Sequence, residues 1–345
     1  SWTTGGWRIP SKERGAMQTS SRNRAISWPY PRHEDFESEL RGRAAAFFRA
    51  RGYPVRKKYP FILADWEQWP SNIILGNVAA YVRREKEHRA EQGIGFPLHH
   101  YLHHGLSSQA MLFNLVGPLV LENDFEPIRS VLAAKGTAWG GDVVSARFEI
   151  EDRTVFNEAY GQPTSVDVVV SDGASSDLFV EAKFVEREFG GCSVFKRGDC
   201  DGRNPSERFS LCYLHHIGRT YWPLLQSHGI LTPAWSASPV CPLSVYYQFF
   251  REVLFALHRN GLFVLLHDER NPTFCCSGPD GDRGLFPFLV AMLPPEIRSR
   301  VISISVQDVF QAVVTGSGRD GRHKDWTGAF AEKYGMPLPG TTKTT

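Results

Sequence analysis

The hydrophobic pattern of the chain predicts a mixed sheet with helices packed on it. An apolar run that follows a capping serine, Ser107 or Ser108, and continues to Pro118 is typical of a buried helix. Three strand patterns come next, followed by a helical periodicity over 244–261 and a further strand. The order helix, strand, strand, strand, helix, strand indicates an α/β fold. The strand patterns lie at 142–150, 165–170, 178–184 and 262–269.

The rest of the chain suggests additions on either side of this core. Residues 1–32 are rich in Gly, Ser, Arg and Pro, which favours an irregular arm, and helical patterns follow over 34–51 and 77–92. A long glycine-containing stretch interrupts the core before its second helix. We therefore expect a basic, partly helical extension, a central domain with an insertion, and a C-terminal tail. These expected units span 1–95, 96–315 with the insertion at about 187–243, and 316–345.

Two of the predicted strands carry charged residues in an otherwise apolar pattern, "TSVDVVVSDGASSDLFVEAKF" at 164–184. If they pair as an antiparallel hairpin with its turn centred near Ala174, directly opposed residues have numbers that sum to 348. One face is then apolar, and the other places Asp167 opposite Glu181, with Lys183 two residues further on. A slip of one residue would break this alternation. The sequence thus predicts two carboxylates and a lysine close together on an outward face.

Two opposed carboxylates repel each other unless a cation lies between them. Lys183 supplies one positive charge, and a divalent ion would supply more. Carboxylate, carbonyl and water oxygens are the ligands that Mg²⁺ prefers, and Mn²⁺ accepts the same set. Such an ion polarises a phosphoryl oxygen and lowers the pKa of a bound water. The alternative from these residues alone is an exposed strand face with a cross-strand ion pair and no chemistry.

These motifs resemble the PD-(D/E)XK, or restriction-endonuclease-like, nuclease superfamily, whose core has the element order predicted above. The resemblance rests on Asp167 followed on the next strand by Glu181-Ala182-Lys183, with Val166 where the superfamily pattern has proline. The chain is similar in particular to a poorly characterised bacterial group in which an SSQA…FNL…PL helix precedes F-E, T-S-x-D and E-x-K motifs. The corresponding residues here are Ser107–Ala110, Phe113–Leu115, Phe148-Glu149, Thr164–Asp167, Glu181–Lys183 and Glu186.

The resemblance implies a restriction-endonuclease-like core and a role for each motif residue. Asp167 and Glu181 would bind Mg²⁺ or Mn²⁺, and the backbone carbonyl of Ala182 would complete the protein ligands. Lys183 would position the attacking water. The reaction would be hydrolysis of a phosphodiester bond, by an endonuclease or an exonuclease.

The same resemblance implies roles for further residues. Glu149 or Glu122 would add a carboxylate from a neighbouring strand or helix, and a surface acid is the alternative for each. Gln248, on the helix after the catalytic strands, would orient the lysine or contact the substrate backbone. Arg251 lies on the same helix. The alternative for Gln248 is an amide on the helix surface.

The motifs together predict a metal-dependent nuclease, with DNA expected ahead of RNA as its substrate and a possible role in bacterial defence. One alternative keeps the fold and discards the chemistry: a catalytically inactive nucleic-acid-binding or scaffolding module with protein partners in a larger assembly. A second alternative is a phosphoesterase that acts on a small nucleotide. The complete set of Asp167, Glu181 and Lys183 favours the enzyme over the inactive module.

Charge is distributed unevenly along the chain. Residues 1–60 hold 13 Arg and Lys against 5 Asp and Glu, a balance of +8, whereas the whole chain has a net charge of +2. Arginines neutralise phosphates and aromatic rings stack on bases, so this arm suits a nucleic acid; an arm wrapped on its own domain is the alternative. Without a long apolar run or a secretory pattern, we expect a cytoplasmic location and no membrane partner. The aromatic residues of the arm are Trp2, Trp7, Trp28, Tyr30 and Tyr53.

Six cysteines in a chain expected in the cytoplasm do not by themselves indicate disulfides. Cys192, Cys200 and Cys212 lie in the insertion, and together with Cys276 they could form a tetrahedral structural Zn²⁺ site. An iron–sulfur cluster, which some nucleases of the superfamily contain, is the less favoured metal. No C-x-x-C pair is present, and this favours unliganded structural thiols over either metal.

Overall fold

The centre of the fold is a five-stranded mixed sheet. The structure is a computed structural model that describes residues 32–141, 145–173, 176–278, 280–320 and 324–338. Its strands are β1 (Val55–Arg56), β2 (Tyr59–Leu63), β3 (Ser145–Asp152), β4 (Thr164–Ser171), β5 (Leu178–Lys183), β6 (Leu262–His267), β7 (Cys276–Gly278), β8 (Gly281–Arg283) and β9 (Val301–Ser305). The sheet has the order β3-β4-β5-β6-β9, in which β3, β4 and β5 are antiparallel and β5, β6 and β9 run parallel.

Helices surround this sheet, and the result is a mixed α/β fold with the predicted order of core elements. The helices are α1 (His33–Ala50), α2 (Gly76–Glu91), α3 (Ser108–Glu122), α4 (Glu126–Ala134), α5 (Ser193–Lys196), α6 (Tyr213–His216), α7 (Tyr221–Ser227), α8 (Pro233–Ala237), α9 (Pro242–His258), α10 (Leu285–Ala291), α11 (Pro295–Arg298), α12 (Val306–Asp320) and α13 (Lys324–Tyr334). The side chain of Ser107 caps α3, as predicted, and α3 continues past Pro118. The short helix α4 was not predicted.

The register of the central hairpin is the predicted one. The pairs Val168–Val180, Val169–Phe179 and Val170–Leu178 each sum to 348. The tip of the turn, 174–175, lies outside the described residues. The predicted alternation therefore places Glu181 and Lys183 on the same side of β5.

The sheet is buried on both faces, so the predicted outward face of the hairpin is covered. Alternate side chains point into two apolar clusters. Val168 and Val180 pack with α3 and α12, whereas Val169 and Phe179 pack with α9. The hairpin alternation predicts that Val166 lies on the same face as Val168, but Val166 lies in the α9 cluster instead. The α9 layer buries the strand face that carries the charged residues.

Segments outside the expected central domain share its apolar core. Side chains of α1, α2 and α13 belong to the cluster on the α3 side of the sheet. Asn114 of α3 donates to the Tyr334 hydroxyl at 2.8 Å and accepts from the Ile74 amide at 2.7 Å, which joins three distant segments. The boundary expected at residue 316 falls inside α12. The domain limits themselves stay a prediction.

The insertion, expected to be irregular, contains the short helices α5 to α8 and a 3₁₀ turn at Phe209–Leu211.

Within the predicted basic segment 1–60, residues 1–31 lie outside the described residues. Within its described part, the Tyr53 ring packs against Phe48, with ring centroids 6.4 Å apart. None of the helices in the described ranges combines the length and the apolar character needed to span a bilayer.

Candidate active site

The candidate site forms where β4 and β5 stop pairing. Their described pairs end at Val168–Val180. In a continued ladder the Ala182 amide would meet the carbonyl of Val166; instead it donates to Asp167 Oδ2 at 2.8 Å. Both backbone groups of a strand residue point to the same neighbouring strand, so the Ala182 carbonyl faces this gap as well. The hairpin therefore brings the Asp167 carboxylate and the Ala182 carbonyl together.

Glu181, Lys183 and Gln248 form a closed set of hydrogen bonds. Lys183 Nζ donates to Glu181 Oε1 at 2.7 Å and to Gln248 Oε1 at 3.0 Å, and Gln248 Nε2 donates to Glu181 Oε1 at 2.7 Å. The α9 helix brings Gln248 over the strand face that holds the other two. Glu181 and Lys183 are only 4% and 6% exposed, so their pairing offsets a large cost of burying charge. Glu181 Oε2 makes no hydrogen bond with a described residue, which leaves it available to a ligand.

Glu149 occupies a strained position opposite Asp167. The β3–β4 pairs sum to 316, which places these two residues across from each other, and Glu149 has a φ of +50°. Residues other than glycine rarely adopt this left-handed conformation. Buried Arg89 donates to the carbonyls of Phe148 and Glu149 at 2.8 and 2.9 Å, and Gln109 Nε2 donates to Glu149 Oε1 at 2.6 Å. Such strain persists where the surroundings over-determine it, and it is common at functional sites.

Burial and mutual repulsion shift the titration of these groups. Burial, with Glu181 acting in the same direction, raises the pKa of Glu149 to about 8. Burial followed by Glu181 and Glu149 raises the pKa of Asp167 well above its ordinary value. Burial alone would lower the pKa of Lys183, but Glu181 and other acids raise it, so Lys183 is a cation. When these acids are ionised, one ammonium does not offset their charge, so the ionised form of the site favours a further cation.

The acids line a cleft of about 700 Å³, which is within the usual range for a ligand site. Nowhere in the described ranges do three His, Cys, Asp or Glu side chains already surround one ion position. A cation here would have two carboxylates, one carbonyl and water as ligands, a partial protein shell that Mg²⁺ commonly accepts. The donor set thus fits Mg²⁺ or Mn²⁺. The residues that line this cleft include Arg41, Tyr59, Tyr101, Glu149, Asp167, Glu181, Gln248 and Arg251.

The structure brings five predicted site residues together, four that line this cleft and Lys183, which donates to two of them, but it leaves Glu122 away from the cleft. Glu122 ends α3, about 20 Å along the helix axis from Gln109. Sequence reasoning missed the roles of Gln109 and Arg89 in holding Glu149, although Gln109 stands in the SSQA motif. It also missed Glu252, one turn after Gln248, whose pKa burial and Glu181 raise. The five predicted residues are Glu149, Asp167, Glu181, Lys183 and Gln248.

The cysteines are arranged differently from the prediction. Cys192, Cys200 and Cys212 line one cavity of the insertion, and the fourth cysteine there is Cys241. Cys276, the expected fourth ligand, lies on β7 beside a separate cavity. All six cysteines are free thiols. The approach of Cys241 depends on the insertion folding back to the start of α9, which the sequence spacing does not reveal.

The raised pKa of Glu149 predicts a pH-dependent stability in EDTA. The folded state holds a proton on Glu149 that the unfolded chain releases near pH 4.5, so stability falls as the pH rises from about 4.5 to 8. The slope from this group is at most about 1.4 kcal/mol per pH unit. Thermal unfolding between pH 5 and 9 measures it, and Glu149→Gln should flatten the profile.

Glu91→Gln is the matched control, because Glu91 is an exposed acid at the end of α2. It should leave the slope unchanged. An equal slope in wild type and Glu149→Gln would contradict the assignment. Added Mg²⁺ should raise the unfolding temperature most at the alkaline end, where the carboxylates are ionised.

The chain belongs to a restriction-endonuclease-like family. The family whose sequence profile matches, over residues 40–335, is described as Restriction Endonuclease associating with ARP. The match contains every residue of the candidate site and supports a nuclease-like function. Searches of curated proteins and of solved structures found no match to the chain.

Proposed function

We propose that this protein is a metal-dependent nuclease of the PD-(D/E)XK type. The observation that carries the proposal is that Asp167 and Glu181 line one cleft and that Glu181 is hydrogen-bonded to Lys183, with Gln248 hydrogen-bonded to both Glu181 and Lys183. Membership of a restriction-endonuclease family supports phosphodiester hydrolysis independently of this geometry. The sheet with α3 and α9 would then be a restriction-endonuclease-like core.

Each residue of the site has a chemical role in this proposal. Asp167, Glu181 and the Ala182 carbonyl would hold Mg²⁺ or Mn²⁺, which when bound polarises the phosphoryl oxygen and activates water. The Lys183 ammonium would orient the attacking water and stabilise the negative charge that develops on the phosphate. Gln248 keeps Lys183 and Glu181 in place. Burial strengthens these interactions, because the effective dielectric constant is lower than in water.

We propose DNA as the substrate. Arg41 and Arg251 add positive charge to the walls of an acidic cleft, where they suit contacts to phosphates. Tyr59 and Tyr101 are 44% and 48% exposed and offer stacking surfaces for bases. Phosphate and base contacts outside the group of catalytic acids suit a polymer substrate more than a small nucleotide.

The family description also bears on partners. It names an association with ARP, and we propose that this protein acts together with that component. A role in bacterial defence would agree with such an arrangement. A catalytically inactive scaffolding module of the same fold is the rival proposal, and a cleavage assay separates the two.

The test is a cleavage assay with linear, circular and single-stranded DNA and with RNA. We expect cleavage of DNA in Mg²⁺ or Mn²⁺ and none in EDTA. Cleavage of circular DNA would identify an endonuclease, and activity on linear ends alone an exonuclease. Binding of DNA without cleavage under every metal condition, with and without the ARP partner, would favour the scaffolding module.

Gln248→Leu should lower kcat by about 10- to 100-fold and leave KM nearly unchanged. The reason is that Gln248 positions Lys183 and Glu181 but does not itself contact the reacting atoms. Steady-state cleavage kinetics measure the split. Gln226→Leu is the control, since Gln226 is an exposed amide on α7. A change in KM alone would indicate that Gln248 contacts the substrate instead.

A further inference from the structure

Four of the six cysteines converge on one cavity of the insertion. Its volume is about 530 Å³, and it is lined by residues from three separate segments of the chain. Cys192 and Cys241 are buried, whereas Cys200 and Cys212 are partly exposed. The sequence separations give no C-x-x-C pair, so the grouping arises from folding alone. Cavity-lining cysteines are Cys192, Cys200, Cys212 and Cys241.

Backbone hydrogen bonds tie the cysteine segments to one another. The Cys241 amide donates to the Gly202 carbonyl at 2.7 Å, and the Cys192 amide donates to the Ser244 carbonyl at 3.1 Å. Cys200 lies between Gly198 and Gly202, whose φ values of +81° and +76° bend the chain tightly on either side of it. The segments are therefore held together by contacts that do not depend on the thiols.

A backbone amide points at one of the sulfur atoms. The Gly202 amide donates to Cys200 Sγ at 3.4 Å. Cys241 is the residue before α9, a helix of 17 residues. Amide donors and helix N-termini stabilise a thiolate more than a thiol. Thiolates are the form in which cysteine binds metals.

We propose that Cys192, Cys200, Cys212 and Cys241 hold a metal centre through four thiolates. Four cysteine sulfurs on one cavity are the ligand set of a structural zinc ion or of an iron–sulfur cluster. Metal binding would displace the protons, so occupancy falls in acid.

The lack of a preformed single-ion position among the described cysteines favours an iron–sulfur cluster over a zinc ion. A tetrahedral zinc site needs sulfur atoms within about 4 Å of each other, given a Zn–S distance near 2.3 Å. In the part of the chain that the structure describes, no three cysteines surround a single ion position. A cluster of several irons spreads its four thiolate ligands further apart, which suits a cavity of this size.

The centre would also brace the candidate active site. Cys241 precedes α9, the helix that carries Gln248, and the Gln248 amide donates to the Gly190 carbonyl at 2.9 Å, two residues before Cys192. A metal bound by Cys192 and Cys241 would add a second link between the two segments that meet at this contact. The metal site itself does not rest on the nuclease proposal, because its composition can be measured without any nucleic acid.

The test is metal analysis of the full chain purified without oxygen. We expect one centre per chain, with iron, acid-labile sulfide and visible absorption for a cluster, or zinc alone for a single ion. Cys241→Ser and Cys200→Ser should reduce the metal content to background. Cys276→Ser is the control and should retain it, because Cys276 lies by another cavity.

A second measurement does not require any variant to fold. In the metal-bound wild type, four of the six thiols should be protected from a thiol reagent and become reactive when a chelator removes the metal. A metal-free wild type after anaerobic purification and after reconstitution with iron and sulfide or with zinc would overturn the proposal. So would metal that survives Cys241→Ser but is lost in Cys276→Ser.

Discussion

Lys183→Met should reduce metal-dependent cleavage by about a thousandfold or more while DNA binding is retained. The substitution removes the ammonium that orients water and stabilises developing charge, and positioned groups of this kind contribute about 10²- to 10⁴-fold each. Methionine has nearly the length of lysine and fills the same buried space. Cleavage rates at saturating Mg²⁺, with binding measured separately in EDTA, test the prediction.

The control for charge is Lys86→Met, which removes an exposed lysine from α2 and should leave activity unchanged. The Lys183 variant also leaves buried Glu181 with Gln248 as its remaining hydrogen-bond donor. Breaking a buried pair costs about 3–5 kcal/mol, so folding of the variant must be checked by circular dichroism at the assay temperature. A folded Lys183→Met protein that cleaves at the wild-type rate would exclude Lys183 from the mechanism.

Asp167→Asn should abolish activity and yet make the metal-free protein at least as stable as the wild type. The amide oxygen of asparagine can still accept from the Ala182 amide, so the hydrogen bond that closes the strand gap is kept. The change removes a buried acid. The pKa of Asp167 is raised by its own burial and then by the neighbouring Glu181 and Glu149, so a neutral side chain is favoured at this position. Loss of function with a gain in stability is the signature of a group held in place for function.

Two measurements separate this outcome from simple misfolding. Mg²⁺ should raise the unfolding temperature of the wild type but not of Asp167→Asn, and calorimetric titration should detect Mg²⁺ binding only in the wild type. Asp35→Asn, at an exposed position in the first turn of α1, is the control and should behave as the wild type. Normal Mg²⁺ binding by Asp167→Asn would place the metal elsewhere.

The central hairpin was predictable from sequence because short-range rules determine it. Strand side chains alternate with a period of two, and an apolar face must be buried, so Val168 and Val180 constrain the register of the whole hairpin. The positions of Asp167, Glu181 and Lys183 relative to one another follow from that register. These short-range rules do not predict the position of Gln248. It was expected near the lysine only because of the resemblance to the nuclease superfamily.

The setting of those charges was not predictable in the same way. An exposed and a covered strand face have the same alternation, and α9 covers the face that sequence reasoning left open to solvent. The supports of Glu149 come from α2 and α3, far from it along the chain. No local pattern distinguishes such an arginine or glutamine from a surface one.

For this protein, the sequence by itself determined the α/β element order, the hairpin register and the grouping of two acids with a lysine. Only the tertiary structure decided that these charges are buried, that Glu149 joins them in a strained conformation, and that Cys241 rather than Cys276 meets the other three thiols. The reason is physical: periodicity and hairpin pairing act between neighbours in the chain. Burial and the meeting of distant side chains depend on how helices and insertions pack.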